Sequence, residues 1–363
     1  MRYLYELGHS YTDPTVRKRL SHYYAVLTSK KPSKYRIVRR IWVDFEEDMS
    51  LKELWKLHDE AEGNFAELSE VDYSWIETHS IEEKNLLDLK AVIAKKMLES
   101  CIFCERRCNL NRYAKRGACR LDFRSHVSSF FHHFGEEPPL VGGTGSGTIF
   151  FTGCNFRCVF CQNYDISQDP YNGIDVDDRT LSGMMKVLNN DRCLNVNLVG
   201  GEPTPNLHTI LEALGRLDEN IPILWNSNMY MSEETMKLIL DVIDIWLPDF
   251  KYGNDECARR LSGVNNYFKI VTRNLLLTKE DDIIIRHLVL PNHLECCTYP
   301  ILEWLARNLK DKLVNIMGQY RPEHIVARLP HTFPDIARRP YLSEMERAMS
   351  YAKSLGLVYE PVS

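Results

Sequence analysis

The sequence contains no apolar run that approaches the roughly 20 residues of a bilayer-spanning helix, so nothing in it reads as a membrane span. Its opening, MRYLYELGHSYTDP, lacks the basic segment, apolar segment and small-residue cleavage site of a secretory leader, and a cytoplasmic location is therefore expected. Charge of one sign is not in excess either, since 45 Lys and Arg against 50 Asp and Glu leave −5, a balance too even to name a partner. The glycine-rich run Gly142-Gly143-Thr144-Gly145-Ser146-Gly147 lacks the Lys-Ser/Thr and helix of a phosphate loop, and is read as a flexible turn into a strand.

What is present is a chain of 363 residues, enough to bury a large core and carry a smaller appendage. Charged residues make up 26% and apolar ones 44%, the balance of a soluble globular protein rather than of a disordered one. The charge is unevenly distributed: residues 1–40 hold ten Lys and Arg against two acids, and residues 41–100 hold sixteen acids against six Lys. Two neighbouring surface elements that neutralise each other explain this best, with a basic arm for nucleic acid as the alternative.

Eleven cysteines in a reduced compartment do not imply a disulfide framework, and their grouping carries more information than their number. Cys101, Cys104, Cys108 and Cys119 form one group and Cys154, Cys158 and Cys161 a second; Cys193, Cys257, Cys296 and Cys297 remain and are read as plain thiols. Clustered thiols in a reducing setting read as metal sites.

Up to about residue 100 the pattern is helical. Ser50-x-x-Glu53 and Ser80-x-x-Glu83 have the form of capping boxes, and Leu86, Leu89, Ile93 and Met97 share one helical face. From about 145 short apolar, β-branched segments alternate with helix-like ones. Strands are expected at 147–153, 195–201, 221–227, 243–250, 283–291 and 313–320, with helices near 180–190, 207–218, 232–242, 254–278 and 298–310 and a last one from Ser343 to Gly356. This alternation predicts a parallel sheet covered by helices. The cysteine triplet, Gly200-Gly201-Glu202, Asn226-Ser227-Asn228, Asp249-Phe250-Lys251, Arg286 and Gln319 fall at or near the C-terminal ends of successive strands, the end at which parallel α/β barrels bind ligands.

The segment GTIFFTGCNFRCVFCQNYDIS is decisive. A loop directly after a strand, with gaps of three and two residues between its thiols, can hold three corners of a cubane cluster and leave one iron open to a cofactor or substrate. A zinc site, or a ferredoxin-type site completed by a distant residue such as Cys193, is the competing reading. The first quartet can close a tetrahedral site, and both structural zinc and an auxiliary iron–sulfur cluster suit four sulfurs. Arg106, Arg107, Arg112, Lys115, Arg116, Arg120 and Arg124 make its surroundings basic, a face that could attract an acidic electron donor or simply be solvated. His132-His133 with Glu136-Glu137 suit a structural or substrate-side role better than a ligand set.

Cys154-x-x-x-Cys158-x-Phe160-Cys161 resembles the cluster motif of the radical S-adenosylmethionine (SAM) superfamily, in which the residue before the last cysteine is aromatic. HHFGEEPPL, CQNYDIS, RHLVLP, GQYRP and the leading quartet are similar to the pyruvate formate-lyase activating enzyme-like subgroup, over about residues 98–360. The resemblance implies an α/β fold: a partial, TIM-like (β/α)6 barrel (141–363), with a helical N-terminal appendage (1–97) and a small four-cysteine metal-binding segment (98–140). It implies a 4Fe–4S cluster on Cys154, Cys158 and Cys161, S-adenosylmethionine on the open iron, and one-electron cleavage to methionine and a 5′-deoxyadenosyl radical. Phe160 would flank the cofactor; Gly200, Gly201 and Glu202 would receive the methionine ammonium; Asn226, Ser227 and Asn228 would lie near the ribose or a monovalent cation. Asp249 and Lys251 would meet the cofactor carboxylate, with Arg286 nearby. A histidine common on the sixth strand is replaced here by Met317-Gly318-Gln319-Tyr320.

The implied partners are a low-potential flavodoxin or ferredoxin and a protein or peptide substrate, the glycine of a glycyl-radical enzyme being the subgroup's nominal one. No membrane or nucleic-acid partner is expected. Fewer than forty residues separate Cys161 from Gly200, so the ferredoxin-like insert of many activating enzymes is absent. Radical modification of a small molecule is the alternative within the same chemistry, and a zinc-stabilised nucleic-acid-binding module the alternative outside it.

Overall fold

The computed structural model describes residues 13–363. The first twelve residues, on which the reading of the N-terminal leader rests, lie outside the described part. Eight strands form one sheet: β1 (Ser125–His133), β2 (Ser146–Phe151), β3 (Ile174–Val176), β4 (Val196–Gly200), β5 (Ile223–Ser227), β6 (Ile245–Pro248), β7 (Asp282–Leu288) and β8 (Leu313–Met317). Their order is β3-β1-β2-β4-β5-β6-β7-β8. From β2 through β8 all neighbours are parallel, and these six strands are the six expected from the sequence. They form a partial α/β barrel. β1 and β3, which the periodicity did not show, add antiparallel strands to the β2 edge.

Side chains alternate along each strand, as the two-residue period of a strand requires. Val196, Leu198, Ile223, Trp225, Trp246, Ile283, Ile285, Val314 and Ile316 pack outward beneath the helices. Leu224, Ile245, Leu247, Ile284 and Leu313 face inward. At the N-terminal end of the strands this inward face is covered by Val16, Leu20, Tyr23, Tyr24 and Leu27, from the helices Pro14–Arg19 and Ser21–Leu27. Polar anchors fix this floor: the Tyr23 amide donates to Asp282 Oδ2 at 2.7 Å, Asn195 Nδ2 donates to Tyr23 Oη at 3.0 Å, and Asp244 accepts from the amides of Lys34 and Ile223.

The remaining N-terminal helices wrap the outside. Ser50 and Glu53 make the expected reciprocal cap on the helix Leu51–Leu68. Ser80 and Glu83 do not: Asn85 caps the next helix, Leu86–Met97, by accepting from the amides of Leu87 and Asp88. An Asn immediately before the periodic face competes better than a Ser six residues upstream. The stretch 254–278 is two helices, Asp255–Ser262 and Tyr267–Leu277, because Gly263 takes a left-handed conformation (φ 65°) that stops the first. Leu86, Leu89, Ile93 and Met97 are buried as their spacing predicted. No helix among the described residues is long and apolar enough to cross a membrane.

Candidate active site at the barrel mouth

The loop leaving β2 carries Cys154, Cys158 and Cys161 into the C-terminal mouth of the barrel. There they line a cavity of about 370 Å³ together with Phe160, Gly200, Gly201, Glu202, Asn226, Ser227, Asn228, Asp249, Lys251 and Arg286. The fold thus gathers every residue of the cofactor set read from the sequence around one space, from five different strand ends. The quartet Cys101, Cys104, Cys108 and Cys119, on the segment preceding β1, does not line this cavity, but its segment packs against the cysteine loop, with Arg106 Nε donating to the Asn155 carbonyl at 2.8 Å and Arg157 bonding the Ala118 carbonyl.

The cysteine loop is held by its surroundings. Cys154 Sγ accepts from the Phe156 amide at 3.3 Å; Cys158 Sγ lies 2.9 Å from Ser262 Oγ and Cys161 Sγ 3.2 Å from Ser167 Oγ. Backbone bonds from Arg157 to Ser262 and from Val159 to Leu261, each 2.9 Å, dock the loop on the end of the helix Asp255–Ser262. Burial pushes the thiols up, Cys158 to about 11, so the sulfurs are protonated until a metal displaces the proton. Three converging sulfurs, that of Cys154 buried and those of Cys158 and Cys161 partly so, suit a soft metal centre.

Gly200 and Gly201 make the site physically possible. A Cβ on Gly200 would stand 2.1 Å from the Phe151 carbonyl oxygen, and one on Gly201 2.1 Å from that of Gly153. Both contacts are with backbone and cannot be relieved by a rotamer change. The two glycines therefore let the β4 end pass directly under the cysteine loop, leaving a cradle that a side chain would fill. Glu202 is buried behind them. Its Oε1 accepts from Ser227 Oγ at 2.7 Å and Thr204 Oγ1 at 2.6 Å, whereas Oε2 accepts only the Asn228 amide at 3.0 Å and retains capacity for a further donor from the cavity. Burial holds the Glu202 carboxyl above its ordinary value, and these bonds oppose that. A cationic donor is what such a carboxylate lacks.

Opposite, Lys251 Nζ lies 2.5 Å from Asp249 Oδ2, and Arg286 Nε donates to Asp249 Oδ1 at 2.9 Å. Burial disfavours the charge on Lys251, but Asp249 more than offsets this and holds the ammonium above its ordinary value. The cavity lining therefore includes the Glu202 carboxylate at one strand end and, at others, an ammonium and a guanidinium that share Asp249. That is the complement of an amino-acid headgroup.

The pair Glu136-Glu137, read from the sequence as structural or substrate-side, joins a polar layer at the cavity whose other members, Asn197 and Asn315, sequence reasoning did not single out. Glu136 and Glu137, from the HHFGEEPPL segment, are buried inside the barrel. Glu136 accepts from Asn197 Nδ2 at 3.0 Å and Arg286 Nη1 at 3.1 Å, and Glu137 accepts from Asn315 Nδ2 at 2.7 Å. Arg286 also bonds Asn226 Oδ1. Thr148, Asn197, Asn226, Arg286 and Asn315 all lie on the inward face of their strands, so a polar stripe at one height of the barrel was the available signal. Where the sixth strand lacks a histidine, Met317 and Gln319 line the cavity. A histidine arrives from farther on: His324 stacks on Tyr164 at 4.9 Å and lies 3.2 Å from the Cys158 carbonyl.

The Radical SAM superfamily profile matches residues 148–305. An uncharacterised protein of Methanocaldococcus jannaschii is 45% identical over 357 residues, which covers 94% of this chain and all of that one. The pyruvate formate-lyase 1-activating enzyme of Escherichia coli K12 is 29% identical over 169 residues, 44% of this chain and 67% of the enzyme. Among solved structures, SuiB of Streptococcus suis bound to S-adenosylmethionine aligns at a TM-score of 0.41 with 12% identity, over 57% of this chain and 47% of that one.

The chain belongs to the radical SAM superfamily. Within it, the chain has weaker homology to the pyruvate formate-lyase activating enzyme. The cofactors of the family are a 4Fe–4S cluster and S-adenosylmethionine, and the cavity has the thiols, the glycine cradle and the paired charges that suit them.

Proposed function

We propose that the protein is a radical enzyme that abstracts hydrogen from a protein or peptide, in the manner of glycyl-radical enzyme activation. The observation that carries the chemistry is the convergence of Cys154, Cys158 and Cys161 with the Gly200-Gly201-Glu202 cradle and the Asp249–Lys251–Arg286 charges on one cavity. When bound and reduced by a low-potential donor, the cluster would supply one electron to the sulfonium of S-adenosylmethionine, whose sulfur–C5′ bond would break to give methionine and a hydrogen-abstracting 5′-deoxyadenosyl radical.

The chain's own residues divide the work. Cys154, Cys158 and Cys161 hold the cluster and offer no fourth thiolate, which leaves one iron for the cofactor. Glu202 takes the cofactor ammonium, Lys251 its carboxylate, and Asn226, Ser227 and Asn228 border its sugar. Asp249 holds Lys251 and Arg286 in place, and Phe160 covers the centre from solvent. The quartet Cys101, Cys104, Cys108 and Cys119 serves as a closed auxiliary site, an electron relay from a flavodoxin- or ferredoxin-like donor or a structural zinc. The protein or peptide substrate is supported by the homology to an activating enzyme. Exposed Phe131 on β1 stacks at 5.3 Å on Phe150, which lines the cavity, and offers an apolar surface that such a chain could lie on.

The test is anaerobic reconstitution with dithionite and S-adenosylmethionine. The wild type is expected to release 5′-deoxyadenosine and Cys158→Ala none. With size-fractionated extract from the source organism as substrate pool, an organic radical signal by electron paramagnetic resonance in the macromolecular fraction supports the protein reading. If only the low-molecular-weight fraction is turned over, the small-molecule alternative replaces it.

A further inference from the structure

Three of the four cysteines left over from the two motif groups come together with a histidine. Cys257, His293, Cys296 and Cys297 place their ligand atoms all within 4.8 Å of one another. We infer that these four side chains form a mononuclear zinc site of three thiolates and one imidazole, separate from both cysteine groups, which staples the loops on the open side of the barrel.

The distances select the kind of metal centre. Cys257 Sγ and Cys297 Sγ each lie 3.9 Å from Cys296 Sγ. His293 Nδ1 is 3.6 Å from Cys257 Sγ, 3.2 Å from Cys296 Sγ and 3.8 Å from Cys297 Sγ. Bond lengths of about 2.3 Å to sulfur and about 2.0–2.1 Å to nitrogen give a tetrahedron whose edges are about 3.8 Å between sulfurs and about 3.6 Å from sulfur to nitrogen. The observed edges match that tetrahedron. They are too short to surround a cubane, whose sulfur ligands are spread over four different irons. Three thiolates and an imidazole with no open position make a structural zinc set.

The backbone and the outer shell are built to match. Adjacent residues on an α-helix point about 100° apart, so vicinal cysteines do not normally converge. Here Leu294–Thr298 is a π-helical turn, in which the Thr298 amide bonds the His293 carbonyl at 3.1 Å, and this wider turn brings Cys296 and Cys297 to the same point. Gly253 permits the approach: a Cβ there would lie 2.7 Å from the Cys297 carbonyl oxygen. His293 uses Nδ1 toward the sulfurs and its Nε2 lies 2.8 Å from Asp335 Oδ2, the carboxylate–histidine pairing that fixes the tautomer of a metal ligand. Asn254 Nδ2 donates to Cys257 Sγ at 3.4 Å and to the Cys296 carbonyl at 2.6 Å. Cys257, His293 and Cys297 are buried, so a bound ion would be shielded from water.

The location gives the site a purpose. Cys257 sits on the helix Asp255–Ser262 that follows β6, His293, Cys296 and Cys297 on the connection after β7, and Asp335 after β8. The same helix ends in Ser262, which touches Cys158. A metal here would lock together three consecutive strand connections and, through them, the backing of the catalytic loop.

Zinc-edge X-ray absorption on anaerobically purified full-length protein tests this. The spectrum is taken on Cys104→Ser protein, in which the quartet has lost a ligand, and about one zinc per chain is expected there, with three sulfurs near 2.3 Å and one nitrogen near 2.0–2.1 Å. Adding Cys257→Ser and Cys296→Ser to Cys104→Ser is expected to remove that zinc. Zinc-free Cys104→Ser protein, a zinc with four sulfurs and no nitrogen, or a zinc content unchanged by the added substitutions would overturn the assignment. The Cys104→Ser spectrum decides the matter even if the further variant fails to fold.

Discussion

Gly201 shows how one missing side chain can set a site. Its would-be Cβ meets the carbonyl of Gly153, which belongs to the loop that delivers Cys154, so any side chain pushes the cysteine loop and the β4 end apart. Gly201→Ala is expected to cost about 2 kcal/mol or more in stability, in the range of overpacked positions. It should also abolish S-adenosylmethionine binding by isothermal titration, and unchanged binding would remove Gly201 from the cradle. His133 offers a different handle. Its Nδ1 lies 3.4 Å from Glu136 Oε1, and the interaction with Glu136 holds its pKa above the ordinary 6.5. Because the folded value is the higher one, protonation favours the fold. The contribution is complete below about 6.5 and is lost as the pH rises through the raised value. The wild-type melting temperature should therefore fall more steeply than that of His133→Gln as the pH rises above 6.5. Parallel curves in anaerobic calorimetry would show that the pair contributes nothing.

Among the elements, the helices Pro14–Arg19 and Ser21–Leu27 have the least predictable role. Their sequence shows basic residues and an amphipathic pattern, which an outer helix would show equally well. Only the tertiary structure reveals that Tyr23 is fully buried against the inward faces of the strands. Tyr23→Ala is expected to cost about 3–5 kcal/mol, the range for removing a buried aromatic. The loss should be visible as a lowered urea midpoint; a cost below about 1 kcal/mol would mean that these helices only rest on the floor. The six parallel strands, in contrast, were readable because each is short, β-branched and largely apolar, a pattern that depends only on local sequence. β1 was not: Ser125, His126 and Ser129 through His133 give it a mixed face, and its strand character comes from pairing with β2.

Across the molecule, the same division separates what the chain states locally from what it states only when folded. The triplet and the Gly-Gly-Glu segment were readable because a few adjacent residues carry the whole chemical pattern. Glu136 beside Arg286, and Cys257 beside His293, join residues 150 and 36 positions apart, and no spacing rule announces such meetings. The two motif groups of cysteine are likewise local, and their division of labour can be tested by counting iron. If the quartet holds an auxiliary cluster, the reconstituted chain should carry about eight irons, four per cubane. Cys104→Ser should then fall to about four while S-adenosylmethionine still binds, because the triplet and its cradle are untouched. Cys158→Ala should also lose about four irons, but the ones that bind the cofactor, so binding should fail with them. Iron analysis and titration on the same samples separate the cases: about four irons in the wild type would assign the quartet to zinc, and loss of cofactor binding in Cys104→Ser would show that the two groups do not act independently.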